Sequence, residues 1–196
     1  MPPKNPLAPT TYPPWSLAPH EAVRLDRPLF GWRFDLLVPH RTGGLCIPWA
    51  VGPLWSDPAT CMPERCTLRF PPHPDQAAPA PNCTCGYRIV SSRRAVASYL
   101  AEADDRAEAG RAGFAPCDGV AISAIEATGS AAGPVLDEYP GTTLRASRIR
   151  VVGPVIAAVW SVRNGGAHGL RLRYPDTTIE VVGGRLDDLL AAAWQR

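Results

Sequence analysis

The chain has little lysine and no long apolar run. Lys4 is the single lysine among 20 basic residues, which stand against 18 acidic residues and give a net charge of +2. This balance lacks the strong basic excess typical of a dedicated nucleic-acid-binding protein. Apolar runs such as Val155 to Trp160 have the length of a strand and fall far short of the roughly 20 residues that a transmembrane helix needs.

An apolar signal segment is also missing at the start, where residues 1–6 read MPPKNP. A secretory signal contains an apolar stretch of about 7–15 residues. We therefore expect a soluble protein of the cytoplasm. In that reducing compartment the six cysteines favour metal binding over disulfides.

Familiar catalytic motifs are absent from the sequence as well. It contains no G-x-S-x-G elbow, no P-loop, no G-x-G-x-x-G after a strand and no H-E-x-x-H. The four histidines are scattered along the chain, at His20, His40, His73 and His168. We therefore expect a protein that is not an enzyme.

Proline divides the chain, because most of the 23 prolines lie before residue 82. Proline lacks an amide donor and fixes φ, so residues 1–28 are predicted to form a disordered proline-rich arm. Residues 29–118 are predicted to form a Trp- and Cys-containing region with a strand at 29–38, a metal knuckle and a helix. Residues 119–196 are predicted to form an antiparallel β region with a C-terminal helix.

Regular elements become frequent after residue 85. A strand at 86–90 precedes a helix that begins at Ser91 or Ser92 and runs to about residue 109, with Val96 and Leu100 on its apolar face. Further strands are predicted at 120–127, 143–152, 155–162, 170–174 and 178–182, and a closing helix at 185–194. The predicted fold class is α+β: an antiparallel β meander with two helices and a proline-rich, cysteine-containing N-terminal half.

The cysteines carry most of the chemistry in the sequence. Cys83 and Cys85 are one residue apart, a spacing at which a disulfide is rare because the ring would be strained. They can face one cation if the turn is tight, and Gly86 provides backbone freedom for such a turn. Four thiolates form the tetrahedral site that structural zinc prefers. We therefore predict a structural zinc site at Cys61, Cys66, Cys83 and Cys85.

Other interpretations of the cysteines remain open. His73 or Cys46 could replace one of the four thiolates. The cysteines could also hold an iron–sulfur cluster, form disulfides or form no site, and Cys117 is interpreted as a small core residue. A metal here would add folding free energy to a segment in which proline prevents hydrogen-bond ladders.

Residues 78–86, APAPNCTCG, resemble the AP-x-P-x-C-x-CG motif of a family of uncharacterised actinobacterial proteins. In that family a Trp-rich segment and an Ala-x-Cys precede the motif, and a helix and a Gly/Val-rich β region follow it. This chain is similar to that arrangement over residues 30–152. It departs from it because His73 lies further upstream than the family's histidine and because another β unit and helix follow. The resemblance implies a site at the motif and implies no activity.

The sequence favours two functions. The first is a non-enzymatic binding or adaptor protein with a structural zinc knuckle and a protein partner. The alternative is a nucleic-acid-associated regulatory protein with arginines along one sheet face that meets phosphates. The arginines of that predicted face are Arg145, Arg148, Arg150, Arg171 and Arg173.

Overall fold

The computed structural model describes residues 14–39, 46–48, 78–83, 85–108, 119–134, 141–159, 171, 176–183 and 185–194. The strands in this part of the chain are β1 (Ala22–Arg24), β2 (Leu29–Pro39), β3 (Cys46–Pro48), β4 (Tyr87–Val90), β5 (Gly119–Ala132), β6 (Thr143–Val159) and β7 (Ile179–Val181). A short 3-10 helix spans Pro14–Ser16, and the α-helices are α1 (Arg93–Glu108) and α2 (Leu186–Trp194).

The described strands form a mixed sheet that is mostly antiparallel. Hydrogen-bonded neighbours follow the order β1-β5-β2-β4-β6-β7, and β3 pairs with β2 while β5 also pairs with β6. β1 with β5, β2 with β3 and β4 with β6 are antiparallel pairs, whereas β7 runs parallel to β6. The predicted α+β class with an antiparallel β meander and two helices is therefore confirmed, and the pairing of β7 with β6 adds a parallel pair to it.

The chain divides into two compact units, each built from three separate segments. The first unit contains residues 1–31, 52–91 and 126–150, and the second contains residues 32–51, 92–125 and 151–196. This division differs from the consecutive blocks predicted from the sequence. The reason is that β2, β5 and β6 each begin in one unit and end in the other.

The first unit includes residues that were assigned to the disordered arm. In β1, Val23 pairs with Ala131 of β5, and both Val23 and Leu25 are buried. The prediction of disorder is therefore wrong for residues 14–28. Disorder was predicted because proline recurs in this arm. Residues 20–27 contain no proline, so their backbone amides can form a short β ladder.

The second unit contains both described helices. The amide of Ala95 donates to the hydroxyl of Ser92 at 3.1 Å, so Ser92 caps α1 as predicted. Val96 and Leu100 are fully buried on the apolar face of α1, and Leu189 is fully buried on α2. Neither helix, among the residues described, has both the length and the apolar character that crossing a membrane requires.

Strand β6 is a single element where two strands were predicted. It is 17 residues long and continues through Gly153-Pro154, whose peptide bond is cis. Pairing resumes directly after the proline, because the amide of Val155 donates to the carbonyl of Thr178 at 2.9 Å. The strand predicted at 170–174 is wrong at Arg171, which is helical, and the rest of that segment lies outside the described residues.

Candidate functional site

The two closely spaced cysteines lie in a compact turn at residues 78–86 of the first unit, which we call the Cys turn. Asn82 adopts a left-handed conformation with φ of 60°. Its amide donates to the carbonyl of Pro19 at 3.1 Å, and the amide of Cys83 donates to the carbonyl of Ala80 at 3.2 Å. Backbone hydrogen bonds therefore close the turn and attach it to the segment before β1.

Gly86 ends the Cys turn in a position that only glycine fits. Its φ is +103°, a conformation that side chains with a Cβ rarely adopt. A Cβ there would lie 2.9 Å from the Cβ of Pro79 and 3.2 Å from the Cβ of Arg145. The final glycine of the motif therefore permits close contact between the turn and strand β6.

Arg145 of β6 is the residue around which the Cys turn is built. It has no exposed surface. Its Nη1 donates to the carbonyls of Ala80 and Cys85, each at 3.0 Å, and to that of Cys83. Its Nε and Nη2 donate to the carbonyl of Gly133 at 3.0 and 2.8 Å. Four carbonyls from two segments of the chain therefore converge on one buried guanidinium.

This arrangement gives the Cys turn its rigidity. Arginine remains protonated in proteins, and burying a cation is costly unless hydrogen bonds satisfy it. Hydrogen bonds to charged groups are the stronger kind, typically worth about 1.5–3 kcal/mol each. Within the Cys turn, Arg145 thus binds three backbone carbonyls around one buried cation.

The two thiols lie together beside this guanidinium. Cys83 is fully buried and Cys85 is half-buried, and neither takes part in a disulfide. The Sγ of Cys85 accepts a hydrogen bond from the amide of Ala80 at 3.3 Å. The Cys83 thiol lies close enough to Cys85 to raise the pKa of the Cys85 thiol. The structure therefore brings this predicted pair of ligands together.

The environment of Cys85 changes its proton affinity. Burial raises the pKa of the Cys85 thiol, while the hydrogen bond from Ala80 lowers it. Contact with Cys83 raises this pKa further, and the positive charge of Arg145 lowers it. The net effect is a raised pKa, so the thiol stays protonated at neutral pH and is a weaker nucleophile than an ordinary cysteine.

We expect alkylation of Cys85 to reach half of its maximal rate at higher pH in the folded protein than in the denatured chain. A raised pKa leaves a smaller fraction of reactive thiolate at any given pH. The measurement is iodoacetamide labelling of chelator-treated protein across pH 7–11, with peptide mapping by mass spectrometry. An equal or lower midpoint in the folded state would contradict the expectation. A pKa that differs between the folded and unfolded chain also makes stability depend on pH. Because the pKa of Cys85 is raised on folding, the contribution of its protonated thiol to the free energy of unfolding is present below the unfolded pKa and is lost as pH rises through the folded pKa.

The remaining predicted ligands are not all described. Cys61, Cys66 and His73 lie outside the described residues, as does Cys117. Cys46 begins β3, and its side chain is not described. Within the described ranges, no group of three or more His, Cys, Asp or Glu side chains could hold a metal ion. The four-thiolate zinc site therefore stays a prediction.

The predicted arginine face is wrong for Arg145, whose side chain is buried. Arg148 and Arg150 are exposed on β6, and Arg150 donates to both carboxylate oxygens of Glu126 at 3.0 Å. The sequence contained a signal that Arg145 is buried. Side chains alternate along a strand, and Arg145 shares its face with the apolar Ile149. Arg171 is exposed and helical, and Arg173 lies outside the described residues.

Comparison with known proteins found no matching family model, no matching curated protein and no matching solved structure. The resemblance to the actinobacterial motif at residues 78–86 therefore stays a prediction. Function is argued below from the geometry of the Cys turn and from the sequence.

Proposed function

We propose that the protein is a non-enzymatic binding protein in which the Cys turn is half of a structural zinc knuckle. The proposed ligands are Cys61, Cys66, Cys83 and Cys85. The observation that carries the proposal is that Cys83 and Cys85 lie in one turn, where the carbonyls of both residues bind Nη1 of Arg145 and the Cys83 thiol is close enough to affect the pKa of Cys85.

The placement of the two thiols in one turn suits zinc. Two thiolates on a tetrahedral zinc with bonds of about 2.3 Å stand about 3.8 Å apart, so they must come from neighbouring positions in space. Cys83 and Cys85 are such neighbours, because the Cys83 thiol is close enough to raise the pKa of the Cys85 thiol. Half of a tetrahedral site is therefore arranged before a metal arrives, which lowers the conformational cost of binding it.

The chemistry of the Cys turn supports a structural role over a catalytic one. The guanidinium of Arg145 is engaged with backbone carbonyls, and the Sγ of Cys85 accepts a backbone hydrogen bond. A zinc ion with four thiolates keeps no position for a reactive water. Such a complex carries a charge of −2, and the adjacent guanidinium offsets part of it.

The proposal also includes a cellular compartment, the cytoplasm, and a binding partner, another protein. We place the protein in the cytoplasm, where a reducing environment keeps cysteines available for metal. We propose a protein partner, because the net charge of +2 provides little attraction for a nucleic acid. The nucleic-acid alternative gains no support from Arg145, which is buried, or from Arg150, which is paired with Glu126.

We expect the full chain, purified without chelators, to contain about one zinc ion and to lose it in Cys85→Ser. Loss of one thiolate opens the site and weakens metal binding. The measurement is elemental analysis of wild type and variant, with circular dichroism to verify folding. Cys117→Ser is the matched control and should retain zinc. A folded wild type without metal would contradict the proposed zinc site.

A further inference from the structure

We propose that Arg145 is a positioning residue for the metal, because its buried guanidinium holds the main chain of both cysteine residues of the Cys turn and thereby sets the zinc affinity of the site. The proposal rests on the zinc knuckle proposed above and adds to it a residue outside the four ligands. In this role Arg145 acts through the ligands and does not itself bind the metal.

A single nitrogen of Arg145 holds the main chain of both cysteine residues. Its Nη1 donates to the carbonyl of Cys83 and to the carbonyl of Cys85, the latter at 3.0 Å. The positions open to a side chain depend on the conformation of its main chain, so fixing both carbonyls restricts where the two thiols can lie. Ligands that are held in place before a metal arrives lose less conformational freedom on binding it, and they bind it more tightly.

The same nitrogen is connected to the sulfur of Cys85 through Ala80. Nη1 of Arg145 donates to the carbonyl of Ala80 at 3.0 Å, and the amide of Ala80 donates to the Sγ of Cys85 at 3.3 Å. Hydrogen bonds from outside the coordination sphere orient metal ligands and tune their affinity. Arg145 therefore holds in place the residue whose amide orients the Cys85 sulfur.

The planar shape of the guanidinium is what allows this role. While Nη1 binds the Cys turn, Nε and Nη2 donate to the carbonyl of Gly133 at 3.0 and 2.8 Å. The guanidinium thus holds the turn in a fixed place relative to Gly133, whose amide donates to the carbonyl of Glu21 at 3.0 Å. Lysine carries the same charge, but its donors share a single atom. One ammonium cannot reproduce both sets of bonds, so we expect Arg145→Lys to loosen the Cys turn.

The test compares the zinc affinities of the folded full chain as wild type and as Arg145→Lys, measured by competition with a chromophoric zinc chelator. Mutation of partners outside the coordination sphere typically weakens metal binding by about 10- to 100-fold, and we expect a loss of this size in Arg145→Lys. Arg148→Lys makes the same change at an exposed position of the same strand and should retain the wild-type affinity. Leu100→Ala removes most of a fully buried side chain from α1, so it controls for lost stability and should also retain that affinity.

The outcomes separate this inference from the zinc knuckle itself. Equal zinc affinity in wild type and folded Arg145→Lys would overturn the inference and leave the knuckle standing. An equal loss of affinity in Leu100→Ala would do the same, because the effect would then follow from stability alone. A wild type that binds no zinc would overturn both proposals.

Amide hydrogen exchange of the wild type is a second measurement, and it needs no variant. The amides of Asn82 and Cys83 donate to the carbonyls of Pro19 and Ala80. If Arg145 positions the turn, both amides should be protected from exchange in chelator-treated protein, and zinc should change their rates little. Exchange at the unfolded rate without zinc, with protection only after zinc is added, would mean that the metal organises the turn and would overturn the inference.

Discussion

Replacing Arg145 with methionine should lower the free energy of unfolding by about 3–5 kcal/mol, because a buried acceptor left without its hydrogen bond costs about 1–3 kcal/mol and several carbonyls would be left in that state. Methionine retains an unbranched apolar chain but removes every hydrogen-bond donor. Four backbone carbonyls, those of Ala80, Cys83, Cys85 and Gly133, would lose the guanidinium that now binds them. A loss of this size is a large part of the total stability of a typical domain. Chemical denaturation followed by circular dichroism measures it.

The matched control is Arg148→Met, three residues further along the same strand. Arg148 is exposed, and surface substitutions of this kind usually change stability by less than about 0.5 kcal/mol. Similar losses in the two variants would show that the guanidinium of Arg145 does not organise the Cys turn. Arg145→Lys adds a finer comparison, since lysine keeps the charge but lacks the planar fork of donors.

Gly133→Ala should also destabilise the protein strongly, by about 3 kcal/mol or more, at or above the upper end of ordinary overpacking. A Cβ at this position would lie 2.1 Å from the carbonyl oxygen of Ala18, which belongs to the backbone and cannot move aside alone. The shift would also disturb the amide of Gly133, which donates to the carbonyl of Glu21 at 3.0 Å, and its own carbonyl, which binds Arg145. Thermal and chemical unfolding measure the effect.

Gly141→Ala is the control for crowding, because it carries a backbone penalty but brings no close contact. Gly141 has φ of +80°, so alanine there suffers the left-handed backbone penalty of roughly 1–2 kcal/mol. No atom lies within 4 Å of the point that a Cβ would occupy there, so crowding adds nothing. If Gly133→Ala were no more damaging than Gly141→Ala, close packing of Gly133 against the segment before β1 would be unimportant for stability.

The elements that could be predicted from the sequence are those whose signals lie within the element itself. Alternation predicted β2, and a serine cap with buried Val96 and Leu100 predicted α1, because both signals arise within one element. The continuous course of β6 through Pro154 was not predictable in this way. It depends on β7, whose backbone pairs with β6 directly after the proline.

The candidate site was predictable only in part. Spacing indicated that Cys83 and Cys85 could face one cation, and the structure places both in the Cys turn, where the Cys83 thiol raises the pKa of Cys85. Alternation with Ile149 could have indicated that Arg145 is buried, but the residues that bind its guanidinium could not be predicted. Those partners are backbone carbonyls, which carry no side-chain signature, and those of the Cys turn lie 60 to 65 residues away in the chain.

The long sequence separation between Arg145 and these acceptors has a consequence for synthesis on the ribosome. The carbonyls of Ala80 and Cys85 are polymerised 65 and 60 residues before the guanidinium that binds them. At a translation rate of about 5–20 residues per second, the Cys turn waits roughly 3–13 seconds before the guanidinium of Arg145 is synthesised. During that interval water must solvate these oxygens. A motif that occupies nine consecutive letters therefore cannot assume its final shape until translation has passed well beyond it.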